Sequence, residues 1–205
     1  MFTYPLMLKI SGRRCLVVGA GAVGLRRAEA LARAGSAVRL VSPQEPAGPL
    51  PPGAELLAEP YQSGHLEGCL LAFACTDDPA LNARIAQEAR SAGILVNVAD
   101  EPEDCDFFVP ATCAQGEVVL AVGTGGACPD LARQLRDRLA ARLPQRVGEF
   151  AAALASIRRQ VQVREADPAR RKAILETLAG PRGYNAFVQG RLIALLEAEI
   201  SRLRE

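Results

Sequence analysis

The sequence predicts an α/β protein in which a doubly wound parallel sheet is followed by a smaller helical region. Three observations predict this class. The apolar run at residues 14–18 leads directly into GAGAVG and a helical pattern. Four further apolar runs of strand length follow before residue 100, separated by helical or turn-rich stretches. From residue 144 onwards the apolar side chains recur with the period of an α-helix.

The size and composition indicate a globular protein. The 205 residues, 49% of them hydrophobic, can bury one domain core and a smaller appendage. No apolar run reaches the roughly 18 residues of a membrane-spanning helix. The N-terminal stretch MFTYPLMLKISGRR lacks the basic start and long apolar segment of a signal peptide. We therefore expect a soluble, cytoplasmic protein without a membrane partner.

The charge pattern favours a small anionic partner over nucleic acid. The formal net charge is only +1. Lys9 and Lys172 are the only lysines, and the arginines become denser after residue 130. Arginine forks bind carboxylates and phosphates in bidentate fashion. Because acids are interspersed along the same helices, these arginines are more typical of solvated helix faces than of a phosphate track.

The cysteines and the histidine disfavour several kinds of active site. The six cysteines include no CxxC pair, which favours reduced, buried side chains that act as small hydrophobes. The only histidine, His65, lies in the turn-like stretch QSGHLEG, where we expect an exposed side chain. A histidine-cysteine metal centre is therefore not expected. A catalytic triad would have to use this loop histidine and is also disfavoured.

The first strand, glycine turn and helix form a dinucleotide-binding motif. The strand at residues 14–18, GAGAVG at 19–24, a helix ending at Gly35 and a second strand at 37–41 fit within about 30 residues, as the motif requires. Gly19 permits the tight turn, Gly21 lets the backbone approach a pyrophosphate, and Gly24 allows close helix packing. Ala22 and Val23 open the helix whose N-terminus receives the phosphates.

The end of the second strand departs from the usual pattern. Roughly 20 residues beyond the glycines, NAD-binding units usually carry an acid for the ribose hydroxyls. This chain has Ser42, Pro43 and Gln44 there. Either these side chains and their backbone hold the ribose, or nothing does. No arginine closely follows this strand to bind a 2′-phosphate, which favours NAD over NADP.

The remaining strands of the sheet are less uniform. A weak strand at residues 55–58 follows a proline-rich loop, and apolar runs at 69–75 and 94–98 supply the fourth and fifth strands. Thr76 or Asp77 is a natural N-cap for a helix that runs to about residue 90. These two residues could also lie beside the nicotinamide or its ribose, and both roles can hold at once.

A cluster of acids follows the fifth strand, in the stretch NVADEPEDCDFFVPA. Strands at 107–113 and 117–123, joined by a turn at 114–116, are then expected to form a hairpin. GTGGACPD leads into a helix with Pro129 in its first turn, so this loop is either a second anion site or a flexible linker. About three helices are expected after residue 144, with breaks near 167–168 and 180–185.

Four motifs in register resemble the N-terminal module of the siroheme synthase family. They are GAGAVG, the TDD after the fourth strand, the NVADEP after the fifth, and VGTGGACPDLARQLR. This family comprises precorrin-2 dehydrogenases, some of which are also sirohydrochlorin ferrochelatases. The resemblance implies a Rossmann-type domain at residues 1–112, a dimerisation segment at 113–145 and a helical domain at 146–205. It also implies NAD+-dependent oxidation of precorrin-2, a tetrapyrrole rich in carboxylates.

The resemblance also implies roles for particular residues. The aspartate that ends the fifth strand is implicated in the chemistry of the family, and it is Asp100 here. Such a carboxylate could accept the proton released on dehydrogenation, or pyrrole protons during metal insertion. The other acids of this loop are expected to be solvated charges: Glu101, Glu103, Asp104 and Asp106. Thr124, Gly125 and Gly126 match the substrate loop, where relatives have a serine-rich version.

Three further expectations concern activity and assembly. The resemblance implies a homodimer, and metal insertion into sirohydrochlorin stays open. Because the chain stops at Glu205, no methyltransferase activity is expected. An NAD-sensing regulatory module without catalysis, or a pure chelatase, would be an alternative, and the former would need neither Asp100 nor an arginine-lined anionic site.

Overall fold

The computed structural model describes residues 3–202, which form two compact units. The first extends to Val109 and also includes Gly125–Ala127. The second comprises Pro110–Thr124 and the chain from Cys128 onwards. The three-part division at residues 112 and 145 stays a prediction.

The first unit contains a five-stranded parallel sheet. Its strands are listed in chain order: β1 Arg14–Val18, β2 Ala37–Val41, β3 Glu55–Leu57, β4 Cys69–Ala74 and β5 Leu95–Val98. In space the order is β3-β2-β1-β4-β5. The chain thus reverses direction across the sheet between β1 and β4, which makes their carboxyl ends the expected ligand-binding crevice. The predicted parallel α/β fold is confirmed.

Two helices cover opposite faces of this sheet. They are α1, Ala22–Arg33, and α2, Pro79–Ser91. Because side chains alternate along a strand, β1 is buried on both faces. Leu16 belongs to the core cluster that contains Ile85 of α2. Val17 belongs to the cluster that contains Ala28 of α1. The sheet is therefore doubly wound, as predicted.

Helices do not separate every pair of consecutive strands. A proline-rich loop joins β2 to β3, and only a 3₁₀ turn, Ser63–Leu66, precedes β4. This turn also corrects the prediction of an exposed His65, whose exposure is 8%. Its Nδ1 accepts a hydrogen bond from the Gln62 amide at 3.0 Å, and its Nε2 lies 2.9 Å from a Glu59 carboxylate oxygen. The imidazole is buried because it caps the turn.

In the described part of the chain, the second unit contains a hairpin and five helices. The strands are β6, Ala111–Gln115, and β7, Val118–Val122, which pair in antiparallel register. The helices follow in chain order: α3 Pro129–Ala140, α4 Val147–Arg164, α5 Pro168–Ala179, α6 Pro181–Val188 and α7 Leu192–Arg202.

Three sequence-based boundaries in this unit need correction. The hairpin turn is formed by Gly116 and Glu117, later in the chain than predicted, because Gly116 adopts a φ of +56° there. Residues 107–110 do not pair with β7. Four helices, rather than about three, follow residue 144 within the described chain, because Gly180 ends α5 and also serves as the N-cap of α6.

The six cysteines differ in exposure. All six cysteines are free, as predicted. Only Cys15 and Cys75 are buried, so the expectation of burial is wrong for the other four, which are partly exposed. Between residues 3 and 202, no helix combines the length and the apolar character needed to cross a bilayer.

Glu199 offers a test of how the helical unit is held together. Its side chain is 2% exposed, and its oxygens lie 2.9 Å from Arg182 and 2.8 Å from Arg202. We expect Glu199→Ala to lower the free energy of unfolding by about 2 kcal/mol, less than the usual cost of breaking a buried ion pair. The reason is that both arginines are more than half exposed and would stay solvated.

Urea unfolding monitored by circular dichroism would measure the effect. The matched control is Glu176→Ala, which removes an exposed carboxylate 3.7 Å from Lys172. Its expected effect is within about 0.5 kcal/mol. Equal effects of the two substitutions would contradict a stabilising role for the buried carboxylate.

Candidate active site at the carboxyl edge of the parallel sheet

The glycine turn after β1 is held against the end of β4. Gly19 has a φ of +101°, which disfavours any other residue. A Cβ at this position would lie 2.4 Å from the Cys75 carbonyl oxygen. A Cβ on Gly24 would lie 1.9 Å from the Gly19 carbonyl oxygen. The first and third glycines therefore bring β1, β4 and α1 together.

Gly21 has a different environment. A Cβ there would meet no atom within 4 Å, and Gly21 is the N-cap of α1 without a side-chain hydrogen bond. A helix leaves its first amide groups without internal partners. The amides of Ala22, Val23 and Gly24 are therefore available to an anion. This arrangement fits the pyrophosphate of a dinucleotide.

The loop after β2 is shaped by Ser42. This residue is 3% exposed, and its hydroxyl donates to the Gln44 carbonyl oxygen at 3.0 Å and accepts from the Gln44 amide at 3.2 Å. Its hydrogen-bonding capacity is used within the loop. Pro43 and the side chain of Gln44 lie at the surface, where a ribose could contact them.

The loop after β4 is fixed by a residue that the sequence reasoning missed. Asn82 of α2 is 5% exposed. Its amide oxygen accepts from the Thr76 hydroxyl at 2.7 Å and from the Thr76 backbone N–H at 3.2 Å, and its amide nitrogen donates to the Thr76 carbonyl at 2.9 Å. A polar residue on the sheet-facing side of an apolar helix was the available signal.

The predicted N-cap of α2 was wrong. Asp78 takes this role, since its carboxylate accepts from the amides of Ala80 at 2.9 Å and Leu81 at 3.2 Å. Thr76 is instead bound to Asn82, and Asp77 is exposed. Asp77 is therefore free to face a ligand.

Asp100 has an unusual backbone conformation. Its φ is +63°, and no other non-glycine residue of the described chain has a positive φ. Aspartate tolerates this left-handed region better than most residues, yet the conformation is still unfavourable. The residue is exposed, and its carboxylate forms no hydrogen bond or ion pair with residues 3–202. Such outliers are enriched at functional sites.

Backbone hydrogen bonds bring the four strand ends to one edge. The Gly19 amide donates to Val41 at 2.9 Å, and the Cys75 amide donates to Val18 at 2.8 Å. The Ala99 amide donates to the Ala74 carbonyl at 2.9 Å, so the ladder continues up to the residue before Asp100. The candidate cofactor residues and Asp100 therefore lie at the same carboxyl edge.

The loop before α3 is divided between the two units. Thr124 belongs to the second, where its hydroxyl donates to the Cys128 carbonyl at 3.0 Å and accepts from the Cys128 amide at 3.1 Å. Gly125 and Gly126 belong to the first unit, and both have a positive φ. The Thr124 hydrogen bonds favour a shaped loop over the flexible linker that the sequence left open.

Arg27 is a second feature that the sequence reasoning missed. Its Nε is buried and has no hydrogen-bond partner within the described chain. Burial raises the pKa of Cys75 to about 11, Arg27 opposes this shift, and Asp100 adds to it. Arg27 and Asp100 therefore both act electrostatically on the end of β4. A bound anion could satisfy the unpaired donor.

Other surface features do not compete with this edge. A shallow cavity of about 570 Å³ lies between the 3₁₀ turn and the second half of α2. It is lined by Arg84 and Glu88, among others, and contains none of the candidate residues. In the described residues, no three side chains of histidine, cysteine, aspartate or glutamate gather in a way that would hold a metal ion.

Comparison with known proteins identifies the first unit. Residues 6–111 match a family model described as "Putative NAD(P)-binding". The chain belongs to this NAD(P)-binding family. The match includes the glycine turn, the loops after β2 and β4, and Asp100. It ends at Ala111, the first residue of β6.

Two curated relatives of this NAD(P)-binding chain confirm the resemblance found in the motifs. It is 38% identical over 205 residues to a siroheme synthase of Azotobacter vinelandii and 40% identical over 204 residues to one of Pseudomonas entomophila. These alignments cover 98% and 97% of this chain. The chain spans 43% of the length of each relative.

A solved structure confirms the fold. The precorrin-2 dehydrogenase SirC superposes with a TM-score of 0.74, at 21% identity, over 97% of this chain and 100% of that one. At this identity the likeness concerns the fold alone. It agrees with the Rossmann-type sheet of the first unit.

The second and third glycines of the turn give a matched pair of tests. Gly21→Ala should weaken NAD+ binding at least about tenfold, because the new methyl group occupies the space through which the backbone approaches a pyrophosphate. It should lower the free energy of unfolding by no more than about 1 kcal/mol, because alanine is less favoured than glycine at an N-cap. Isothermal titration calorimetry and thermal unfolding would measure both quantities.

Gly24→Ala should lower the stability more than it lowers the NAD+ affinity. Its Cβ would overlap the Gly19 carbonyl, so we expect a loss of about 1–3 kcal/mol of stability. Unchanged NAD+ affinity in Gly21→Ala would refute the assignment of the open face to the pyrophosphate.

Cys75 gives a test that depends on pH. Its pKa rises from 9.0 to about 11 in the folded chain, so the folded state retains the proton over a range in which the unfolded state loses it. Stability from this group is fully present below pH 9 and is lost as the pH rises to about 11. Relative to Cys75→Ala, the wild type should lose about 2 kcal/mol over this range.

Urea unfolding at a series of pH values would measure this difference. Comparison with Cys75→Ala removes the contributions of the other titrating groups, which both proteins share. Parallel stability curves for the two proteins would contradict a protonated, buried thiol at the end of β4.

Proposed function

We propose that this protein oxidises precorrin-2 to sirohydrochlorin, with NAD+ as the hydride acceptor. The observation that carries the proposal is Asp100, an unpaired carboxylate held in a left-handed conformation at the edge that also carries the dinucleotide turn. The similarity to siroheme synthases over nearly the whole chain supports it.

The proposed chemistry needs one hydride acceptor and one proton acceptor. Bound NAD+ accepts a hydride from a substrate C–H group and becomes NADH. A proton also leaves the substrate, and the Asp100 carboxylate accepts it before releasing it to water. Two electrons and one proton leave with the hydride, so precorrin-2 and NAD+ yield sirohydrochlorin, NADH and a proton.

The first unit offers groups for each part of the cofactor. The amides of the first α1 turn would bind the pyrophosphate. Ser42 would shape the β2 loop, so that Pro43 and Gln44 contact the ribose, and Thr76 and Asp77 would lie beside the nicotinamide ribose.

The environment of Arg39 supports NAD rather than NADP. Its guanidinium lies 3.2 Å from the Glu55 carboxylate and donates to the His65 carbonyl at 3.4 Å. The arginine of β2 is thus used within the sheet, and a 2′-phosphate would have to compete with Glu55 for it.

The loop before α3 would contact the substrate, and the second unit would supply the dimer contact. We propose that Thr124, Gly125 and Gly126 contact the substrate carboxylates. Residues 113–145 would form a homodimer interface, and the protein would act in the cytoplasm. Supporting the interface, Leu131, Leu135 and Leu139 recur every four residues on α3 and are 37–47% exposed. Such an apolar row on one helix face is typical of a buried contact.

Metal insertion is a possible second step on the same product. Insertion of a divalent ion into sirohydrochlorin releases two pyrrole protons; Asp100 would accept one and pass it to water, and the other would go to water directly. The metal would be a substrate, so no tight resident site is needed.

The decisive substitution is Asp100→Asn. Asparagine tolerates the left-handed conformation and has nearly the same shape, whereas Asp100→Ala would add backbone strain of about 1 kcal/mol. We expect Asp100→Asn to lower kcat by about 10²–10⁴ while the Kd for NAD+ is unchanged. Glu103→Gln, three residues along the same loop, is the matched control and should retain full activity.

The assay follows NADH and sirohydrochlorin formation from enzymatically prepared precorrin-2. Wild-type protein that binds NAD+ but forms no NADH would overturn the proposal in favour of an NAD-sensing regulatory module. Metal uptake by sirohydrochlorin without any precorrin-2 oxidation would indicate a chelatase alone. Full activity of Asp100→Asn would remove Asp100 from the mechanism.

A further inference from the structure

The last strand of the parallel sheet has an open edge. Among the described residues β5 pairs with β4 alone, so the amide and carbonyl groups on its other side face away from the sheet. Unpaired strand edges are costly when buried and prone to pairing with other chains when exposed. The outward groups of β5 belong to Val96 and Val98. All four are hydrogen-bonded, and two consecutive residues of the acidic loop provide every partner.

Asp106 pairs with Val96. Its carboxylate accepts from the Val96 amide at 2.9 Å, and its own amide donates to the Val96 carbonyl at 2.9 Å. The second carboxylate oxygen accepts from Arg90 of α2 at 3.0 Å, and Arg90 also donates to the Asp104 carbonyl at 2.8 Å. The expectation of a solvated loop charge is therefore wrong for Asp106, because its carboxylate is bonded both to the sheet and to Arg90.

Cys105 pairs with Val98. Its Sγ lies 3.2 Å from both the amide nitrogen and the carbonyl oxygen of Val98. It also accepts from the side-chain amide of Asn97 at 3.3 Å, and the Glu101 carbonyl lies 3.4 Å away. Burial raises the pKa of Cys105, so the thiol keeps the proton that it donates at neutral pH.

These contacts lie on both sides of Asp100. Val98 precedes it by two residues and Glu101 follows it directly, and both are in hydrogen-bonding contact with the same sulfur. The chain from Val98 to Glu101 must therefore complete its turn while both residues stay in contact with the Cys105 sulfur. A left-handed aspartate persists only where its surroundings over-determine the backbone.

We propose that Cys105 and Asp106 are positioning residues for Asp100, acting in place of a sixth strand to fix its left-handed turn and aim its carboxylate. The inference rests on the proposed function, because it concerns the orientation of the proposed proton acceptor. Neither residue touches the reacting atoms. Their effect is to limit the positions that the Asp100 carboxylate can adopt, and a misplacement of about 1 Å can cost a hundredfold in rate.

The test compares variants that remove the contacts with variants that retain them. Cys105→Ala and Asp106→Ala should each lower kcat for precorrin-2 oxidation by about tenfold to a hundredfold. The Kd for NAD+, which depends on the β1 turn, should stay within about twofold. Cys105→Ser, which keeps a donor and an acceptor, and Asp106→Asn, which keeps an oxygen for the Val96 amide, should retain most of the activity.

A matched control lies in the same loop. Glu103 is exposed, and its carboxylate has no hydrogen bond or ion pair within the described residues. Glu103→Ala should leave both kcat and NAD+ affinity unchanged. Thermal unfolding of every variant identifies loss of fold. If an alanine variant fails to fold, Cys105→Val or Asp106→Leu, which fills similar space without a donor or acceptor, replaces it with the same expected loss of kcat.

The role of Asp100 is tested by a double-mutant cycle. In the Asp100→Asn background there is no carboxylate to aim, so Cys105→Ala should have no further effect on kcat. Hydrogen exchange adds a readout that is independent of activity, since the Val96 amide should exchange faster in Asp106→Ala and the Val98 amide faster in Cys105→Ala.

The outcomes separate the inference from the proposed function. Unchanged kcat in Cys105→Ala and Asp106→Ala, or an equal loss in the Asp100→Asn background, overturns the inference while the dehydrogenase assignment stands. Unchanged exchange of both amides overturns the pairing itself. An inactive wild type with the expected exchange pattern overturns the proposed function and, with it, the catalytic part of the inference.

Discussion

The close approach between the Gly19 turn and the end of β4 is the constraint on which the first unit depends. A Cβ at Gly19 would overlap the Cys75 carbonyl, and a Cβ at Gly24 would overlap the Gly19 carbonyl. Because glycine has no side chain at either position, the chain can turn from β1 into α1. The Val18 carbonyl at the end of β1 still accepts a hydrogen bond from the Cys75 amide, which follows β4. The amides of the α1 N-terminus are thereby presented at the edge where β4 and β5 end.

The polar residues around this edge fall into two groups: most form hydrogen bonds within the described chain, and Asp100 forms none with its carboxylate. Ser42, Asp78, Asn82 and Asp106 each accept a hydrogen bond from a backbone amide of a loop, helix or strand of the first unit. Asp100 forms no such bond, although it occupies the least favourable backbone conformation of the group. A group that is held in place by its neighbours and has no partner of its own is suited to bind or react with something outside the chain. This contrast, more than the number of acids, distinguishes Asp100.

The electrostatics of the edge agree with this distinction. Arg27 has a buried Nε without a partner among residues 3–202, and Arg27 and Asp100 shift the pKa of Cys75 in opposite directions. A guanidinium donor and an unpaired carboxylate therefore coexist near one strand end. An anionic substrate that also loses a proton would use both kinds of group, which is consistent with a tetrapyrrole rich in carboxylates.

The sequence by itself determined the parallel sheet, the glycine turn and the position of Asp100 after β5. These features depend on local patterns, namely short apolar runs, glycine at positions with no room for a side chain, and a polar residue where a strand ends. The motifs in register also determined the family resemblance, since GAGAVG, TDD and NVADEP occur in the same order as the structural elements that carry them.

Only the tertiary structure decided which polar groups have hydrogen-bond partners within the chain. Asp106 resembles a solvated loop charge in the sequence, and its pairing with Val96 and Arg90 depends on where the loop crosses the sheet edge. Asn82 and Cys105 are similar cases, because their partners lie on another loop or on a strand. The left-handed conformation of Asp100 was likewise not visible in the sequence. A residue type sets what a side chain can bind, but its partners are chosen by the three-dimensional path of the chain.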